Sequence, residues 1–76
     1  MELMRLRYFY TVGKMLNISQ AAKIHGIPQP AMSKTIASLE SELGVKLFDR
    51  SKNHLSLNKA CQLFMPRVEK ALEHLD

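Results

Sequence analysis

Acidic residues are missing from most of the chain. None occurs from Leu3 through Leu39 and none from Arg50 through Val68, while Arg5, Arg7, Lys14, Lys23, Lys34, Arg50, Lys52, Lys59 and Arg67 fall in those stretches. Cysteine occurs once, as Cys61, which excludes an intramolecular disulfide framework. No apolar run is long enough to span a bilayer, and Glu2, Arg5 and Arg7 precede any apolar run, unlike a secretory signal. The expectation is a reducing, cytoplasmic setting with no membrane partner. With 76 residues there is room for one domain and none for a large enclosed active-site cavity. A chain of this size buries only roughly 60% of its unfolded surface, so a stabilising partner subunit is expected. There is no Gly-rich phosphate loop, no Ser–His–acid set and no carboxylate pair in a pocket. His25, His54, His74 and Cys61 do not follow zinc-ligand spacing. Neither an enzyme nor a cofactor or metal is therefore expected.

What is present is a basic globular composition. Apolar residues make up 46% of the chain and the net charge is +4, with a sequence pI near 9.5. The acids collect at Glu40, Glu42 and Asp49, and again at Glu69, Glu73 and Asp76. One sign of charge over half a chain attracts a polyanion at long range, but a solvated basic face would look the same, so a shape is needed beside it.

The apolar periods supply that shape. Leu3, Leu6, Phe9, Val12 and Leu16 recur at helical steps, with Gly13 weakening the end of that helix. Asn17 is placed to cap a short second helix, with Gln20 in capping-box position and Gly26 ending it. Pro28-Gln29-Pro30 restarts the chain, and Pro30 suits a first helical turn. Met32, Ile36, Leu39 and Leu43 then mark a third helix stopped by Gly44, whose other face carries Gln29, Ser33, Lys34, Ala37 and Ser41. Leu47-Phe48-Asp49-Arg50 and His54-Leu55-Ser56-Leu57 flank turn chemistry at Ser51-Lys52-Asn53, which predicts a small hairpin. Asn58 caps a last helix with one stripe of Cys61, Phe64, Met65, Val68, Leu72 and Leu75, bent where Pro66 interrupts its hydrogen bonds.

Ala22, Gly26 and Met32 stand at the spacing of a helix-turn-helix: a small residue for close approach, a turn, and a residue packing the third helix onto the second. The second helix of such a unit projects its polar side into a DNA major groove, and the hairpin becomes a wing. Gln29 offers the donor–acceptor pair that reads adenine, Pro30 an apolar knob for a thymine methyl, Ser33 a short hydrogen-bonding group, and Lys34 reach to guanine or phosphate. Ser19 lies where helix N-terminal amides favour phosphate, and Arg50, Lys52 and Asn53 lie on the wing. His25 reads as a partly buried histidine and Cys61 as a small core residue. Two alternatives are a helix-turn-helix that recruits a protein and a basic amphipathic element at a membrane surface; the acids on the last helix disfavour the second.

Ala21-Ala22, Gln29-Pro30-Ala31-Met32-Ser33-Lys34, Ile36, Leu39-Glu40, Glu42-Leu43-Gly44-Val45 and Leu47-Phe48-Asp49-Arg50 resemble the N-terminal domain of LysR-type transcriptional regulators. Leu6-Arg7-Tyr8-Phe9 and Leu16-Asn17-Ile18-Ser19 fit the same pattern, and the resemblance covers essentially the whole chain. It implies a mainly α fold: a winged helix-turn-helix with a three-helix core and a small β-hairpin wing, followed by a long dimerisation helix. On that basis residues 1–57 form the DNA-binding domain, with the helix-turn-helix at about 18–37 and the wing at about 46–57, and residues 58–76 form the linker and dimerisation helix. The implied activity is sequence-specific binding of double-stranded promoter DNA at a pseudo-palindromic site, by a homodimer held through Cys61, Phe64, Met65, Val68, Leu72 and Leu75. Contacts carry over to Gln29, Pro30, Ser33 and Lys34 on the recognition helix, and to Ser19 and Arg50 on the DNA backbone. A small-molecule effector would act through a larger domain that this chain does not contain. The sequence departs from the usual pattern at Pro28, where Ser is common, at Ala37, where Arg is frequent, at His25, where an apolar residue is usual, and at Asn58 and Cys61, where Thr and Gly are common.

Overall fold

The structure, a computed structural model, describes residues 3–51 and 54–75. Its elements are α1 (Leu3–Met15), α2 (Ile18–His25), α3 (Gln29–Leu43), β1 (Phe48–Ser51), β2 (His54–Leu57) and α4 (Lys59–Leu75). The expected order of a three-helix core, a hairpin and a long last helix is present.

The boundaries follow local chemistry. Asn17 has extended backbone and its side chain accepts from the Gln20 amide at 2.9 Å, so α2 begins one residue after it. Gly26 closes α2 in the left-handed conformation (φ 68°), its N–H donating to the Ala22 and Lys23 carbonyls. Pro28 gives α3 no side-chain cap, and Pro30 fills the first turn, where its missing N–H costs nothing. Gly44 ends α3 in the same way as Gly26, at φ 74°. The end of α1 differs from expectation. Leu16 is not the last residue of the helical stripe; it leaves the helix with φ 52° and is exposed. An L-residue in that conformation carries a steric cost of about 1 kcal/mol.

Phe9 is the hub of the core. It is fully buried and lies 5.7 Å from the Phe48 ring and 5.4 Å from the Phe64 ring, joining α1 to the wing and to α4. Val12, Ala21, Ala22, Met32, Ile36, Leu39 and Leu47 complete the centre. α4 meets α1 closely at Gly13. A Cβ built there would lie 2.6 Å from the Met65 Sδ, so the glycine that weakens α1 as a helix leaves room for the Met65 thioether.

The hairpin is antiparallel, with Phe48 opposite Leu57 and Arg50 opposite Leu55. Phe48 is buried and Leu55 and Leu57 pack against the core, which fixes one face of the ribbon inward. Asn58 caps α4 by accepting from the Cys61 amide at 2.8 Å. The helix runs through Pro66 as one element.

The apolar stripe of α4 requires a correction. Cys61, Met65, Val68 and Leu72 are buried inside this chain, and Phe64 is half-buried against Phe9. They are core residues, packed in one cluster with Phe9 and Val12 of α1. Only Leu75 of the six expected interface residues is exposed, and Leu63, on the other side of α4, is exposed with it.

Candidate nucleic-acid interface

The amphipathic period of α3 decides which residues stand outward. Met32, Ile36 and Leu39 are buried, so Gln29, Pro30, Lys34 and Ala37 are exposed and Ser33 is half-buried. The Gln29 amide nitrogen donates weakly to Ser33 Oγ at 3.4 Å, one turn along, so the two side chains constrain each other. Ser19 stands exposed on α2, and Arg50 stands exposed on β1. Lys52 and Asn53 lie outside the described residues.

Two clefts flank α3. One, lined by Met4, Arg5, Tyr8, Lys34, Thr35 and Ser38, separates it from α1. The other, lined by Ile36, Ala37, Glu40, Lys46, Phe48, Asp49 and Arg50, separates it from the wing. The structure therefore brings Arg50 beside the second half of α3 and places Lys34 on the opposite flank. Ala37, small and exposed, lines the wing cleft.

Arg5, which the sequence leaves open between a DNA contact and a solvated face of α1, is engaged within the chain. Its guanidinium donates to Ser38 Oγ at 3.0 Å and pairs with the Glu42 carboxylate at 3.2 Å, tying the start of α1 to the end of α3. Glu40 was also missed. Its carboxylate accepts from the Leu47 amide at 2.7 Å and the Phe48 amide at 3.3 Å. Glu40 stands one turn ahead of the helix-ending Gly44, which fits a solvated helix end equally well, so neither contact could be read from residue order.

His25 is half-buried against α1, as expected. Its ring meets Tyr8 edge-on at 4.7 Å, and its Nε2 lies 2.8 Å from Thr11 Oγ1. The Thr11 hydroxyl donates its one hydrogen to the Arg7 carbonyl at 3.0 Å, so toward His25 it accepts and Nε2–H donates. On the α1–α4 seam, Tyr10 has its phenol raised above 10.0 by burial first and then by the Glu69 carboxylate it hydrogen-bonds, with Glu73 adding to the effect. Burial, and secondarily Glu40, push the Cys61 thiol up to about 11, which makes it an inert core group at neutral pH. Among the described residues no group of three or more His, Cys, Asp or Glu is placed to hold a metal ion, and no helix is long and apolar enough to cross a membrane.

Comparison with known proteins supplies the family. Residues 3–62 match the description "Bacterial regulatory helix-turn-helix protein, lysR family". The chain is 44% identical over 73 residues to the uncharacterized HTH-type transcriptional regulator YybE of Bacillus subtilis, covering 96% of this chain and 25% of that protein. It is 37% identical over 76 residues to the HTH-type transcriptional regulator IlvR of Caulobacter vibrioides, covering 100% of this chain and 26% of that protein. It thus spans about a quarter of the length of these relatives. Among solved structures it superposes on the BenM_DBD/catB site 1 DNA complex with a TM-score of 0.95 at 34% identity, covering 100% of this chain and 82% of that one. The helix-turn-helix, the wing and the long last helix occur together in one register, and the chain belongs to the lysR family of bacterial regulatory helix-turn-helix proteins.

Proposed function

We propose that this chain is the sequence-specific, double-stranded-DNA-binding part of a LysR-type transcription regulator, and that it controls promoter activity by binding rather than by catalysis. The observation that carries this is the outward face of α3. Gln29, Pro30 and Lys34 are exposed on a helix whose opposite side is fully engaged in the core, and Arg50 stands across a cleft from it. No acid occurs between Leu3 and Leu39, so the whole helix-turn-helix presents one sign of charge to a polyanion. The solved BenM_DBD structure of the same shape is a complex with DNA, which supports DNA as the partner here.

In this reading α3 enters the major groove, Gln29, Pro30, Ser33 and Lys34 meet base edges or adjacent phosphates, and Ser19 and Arg50 hold the backbone. Lys52 and Asn53 extend the wing contact. Residues 1–57 act as the reading unit and 58–76 as a linker and dimerisation helix. A homodimer places two copies of α3 about one helical turn apart on a pseudo-palindrome. Because the buried stripe of α4 is committed to the chain's own core, the dimer surface is assigned to its exposed side, with Leu63 and Leu75. An effector would act through regions of the full regulator outside these residues.

Selection of bound sequences from random duplex DNA tests the proposal. Enrichment of a two-fold-related motif, with affinity falling steeply as salt rises, is the expected result. Absence of any enriched sequence together with salt-independent binding would sink it and favour recruitment of a protein partner.

A further inference from the structure

We infer that Glu40 is a positioning residue for the wing: it sets the place of Arg50 relative to the recognition helix, and so governs a DNA contact it does not itself make. This rests on the DNA-binding reading above.

Glu40 makes four main-chain bonds with the segment that follows α3. Its carbonyl accepts from the Gly44 amide at 2.9 Å and the Val45 amide at 3.2 Å, closing the helix. Its carboxylate accepts from the Leu47 and Phe48 amides, so it captures the start of the hairpin as well. The same segment is held from the far side by Asn58. The Asn58 amide donates to the Leu47 carbonyl at 3.0 Å, its side-chain nitrogen donates to the Lys46 carbonyl, and its side-chain oxygen caps α4. Residues 44–48 are thus clamped between the end of α3 and the beginning of α4.

Two physical points turn this clamp into a functional device. The described sheet has two strands, and an isolated two-stranded ribbon is marginal in water. Its position must therefore come from what it is tied to: the Glu40 bonds on the α3 side, the Asn58 bonds on the α4 side, and the packing of Phe48, Leu55 and Leu57 on the core. Arg50 is also only two residues past Phe48, about 7 Å along the strand, so a tilt at the clamp passes directly to the guanidinium. Glu40 and Arg50 line the same cleft, with Glu40 at the joint.

The test is DNA affinity as a function of salt, by fluorescence anisotropy on a duplex selected as above, for the parent chain, E40A, E40Q, R50A and the E40A/R50A double variant. R50A should lower the salt slope by about 1, the loss of one phosphate contact. E40A should lower it by most of that amount, and the double variant should lower it no further than R50A alone. E40Q, which still offers one acceptor oxygen, should fall between parent and E40A. Amide exchange at Leu47 and Phe48 should quicken in E40A and less in E40Q. A merely structural role would weaken stability and leave the slope untouched. Parental slope in E40A, or losses that add in the double variant, overturns the inference while leaving the DNA-binding reading intact. If E40A does not fold, E40Q decides alone: an intermediate slope with faster exchange supports the inference, and parental values for both overturn it. A parent chain that binds no duplex overturns the reading and the inference together.

Discussion

Lys34 carries the plainest prediction at the scale of single residues. It is exposed on the outward face of α3, one turn from Pro30. K34A should cost about 1–3 kcal/mol on the selected site and little on random DNA if it reads a base. If it holds a phosphate, the loss should be similar on both duplexes, and paired titrations separate the two. Cys61 gives a pH dependence instead. Its thiol is at 0% exposure and is raised from 9.0 to about 11, so the folded state holds that proton more tightly than the unfolded state. The associated stability is complete below pH 9.0 and is lost as pH rises through 11, on the order of 2 kcal/mol. Urea midpoints measured from pH 8 to 11 should fall over that window, and C61A should flatten most of the fall. Tyr10, raised in the same direction, adds to the fall. At Gly13 the added Cβ of alanine meets only the mobile end of Met65, so G13A should change stability by less than about 1 kcal/mol, helix propensity offsetting the displaced thioether. G13V adds branches that Met65 cannot clear and should cost about 1–3 kcal/mol, read from thermal unfolding.

Elements are set by their ends. Gly26 and Gly44 both lie in the left-handed region with nothing within 4 Å of a built Cβ, so alanine at either meets no clash and carries only the conformational cost, about 1–2 kcal/mol. The two should differ in consequence. G26A strains the turn between α2 and α3, whose other tie is the Ile27 amide donating to the Ala22 carbonyl at 3.0 Å. G44A strains the joint that Glu40 holds, and should quicken amide exchange at Leu47 and Phe48 beyond the global loss of stability. The element boundaries were legible in the sequence because caps are local: Asn17, Gly26, Pro30, Gly44 and Asn58 each start or end a helix through groups within four residues. The exception is Leu16, whose apolar side chain matches the period of α1 although its backbone has left the helix.

At the scale of the molecule, α4 does two jobs on two faces. The face of Cys61, Met65, Val68 and Leu72 seals the core, and the face with Leu63 is exposed and is the one proposed for the dimer. Sedimentation of L63E at micromolar concentration should show a monomer where the parent shows a dimer, with the fold retained because Leu63 is 70% exposed. V68E should instead unfold the chain, since Val68 is buried. This separates the proposed interface from the core stripe that periodicity alone could not separate from it.

The outward face of α3 could be foreseen because the helix carries its own solution: an apolar period fixes the inward side, and Gln29, Pro30 and Lys34 are then outward whatever the rest does. Charge patterning likewise reads directly from residue order. Long-range choices do not. The sequence shows that α4 has an apolar stripe, but not whether it faces the chain's own core or a second copy; the fold buries Cys61, Met65, Val68 and Leu72 in the core. Glu40 is one acid among several until residues seven and eight positions later are folded back onto its carboxylate. Helix ends and helix faces are decided by interactions within a turn or two, which a sequence records. Partners across the fold are decided by which surfaces reach each other first with the fewest unpaired groups, and only the tertiary structure settles that.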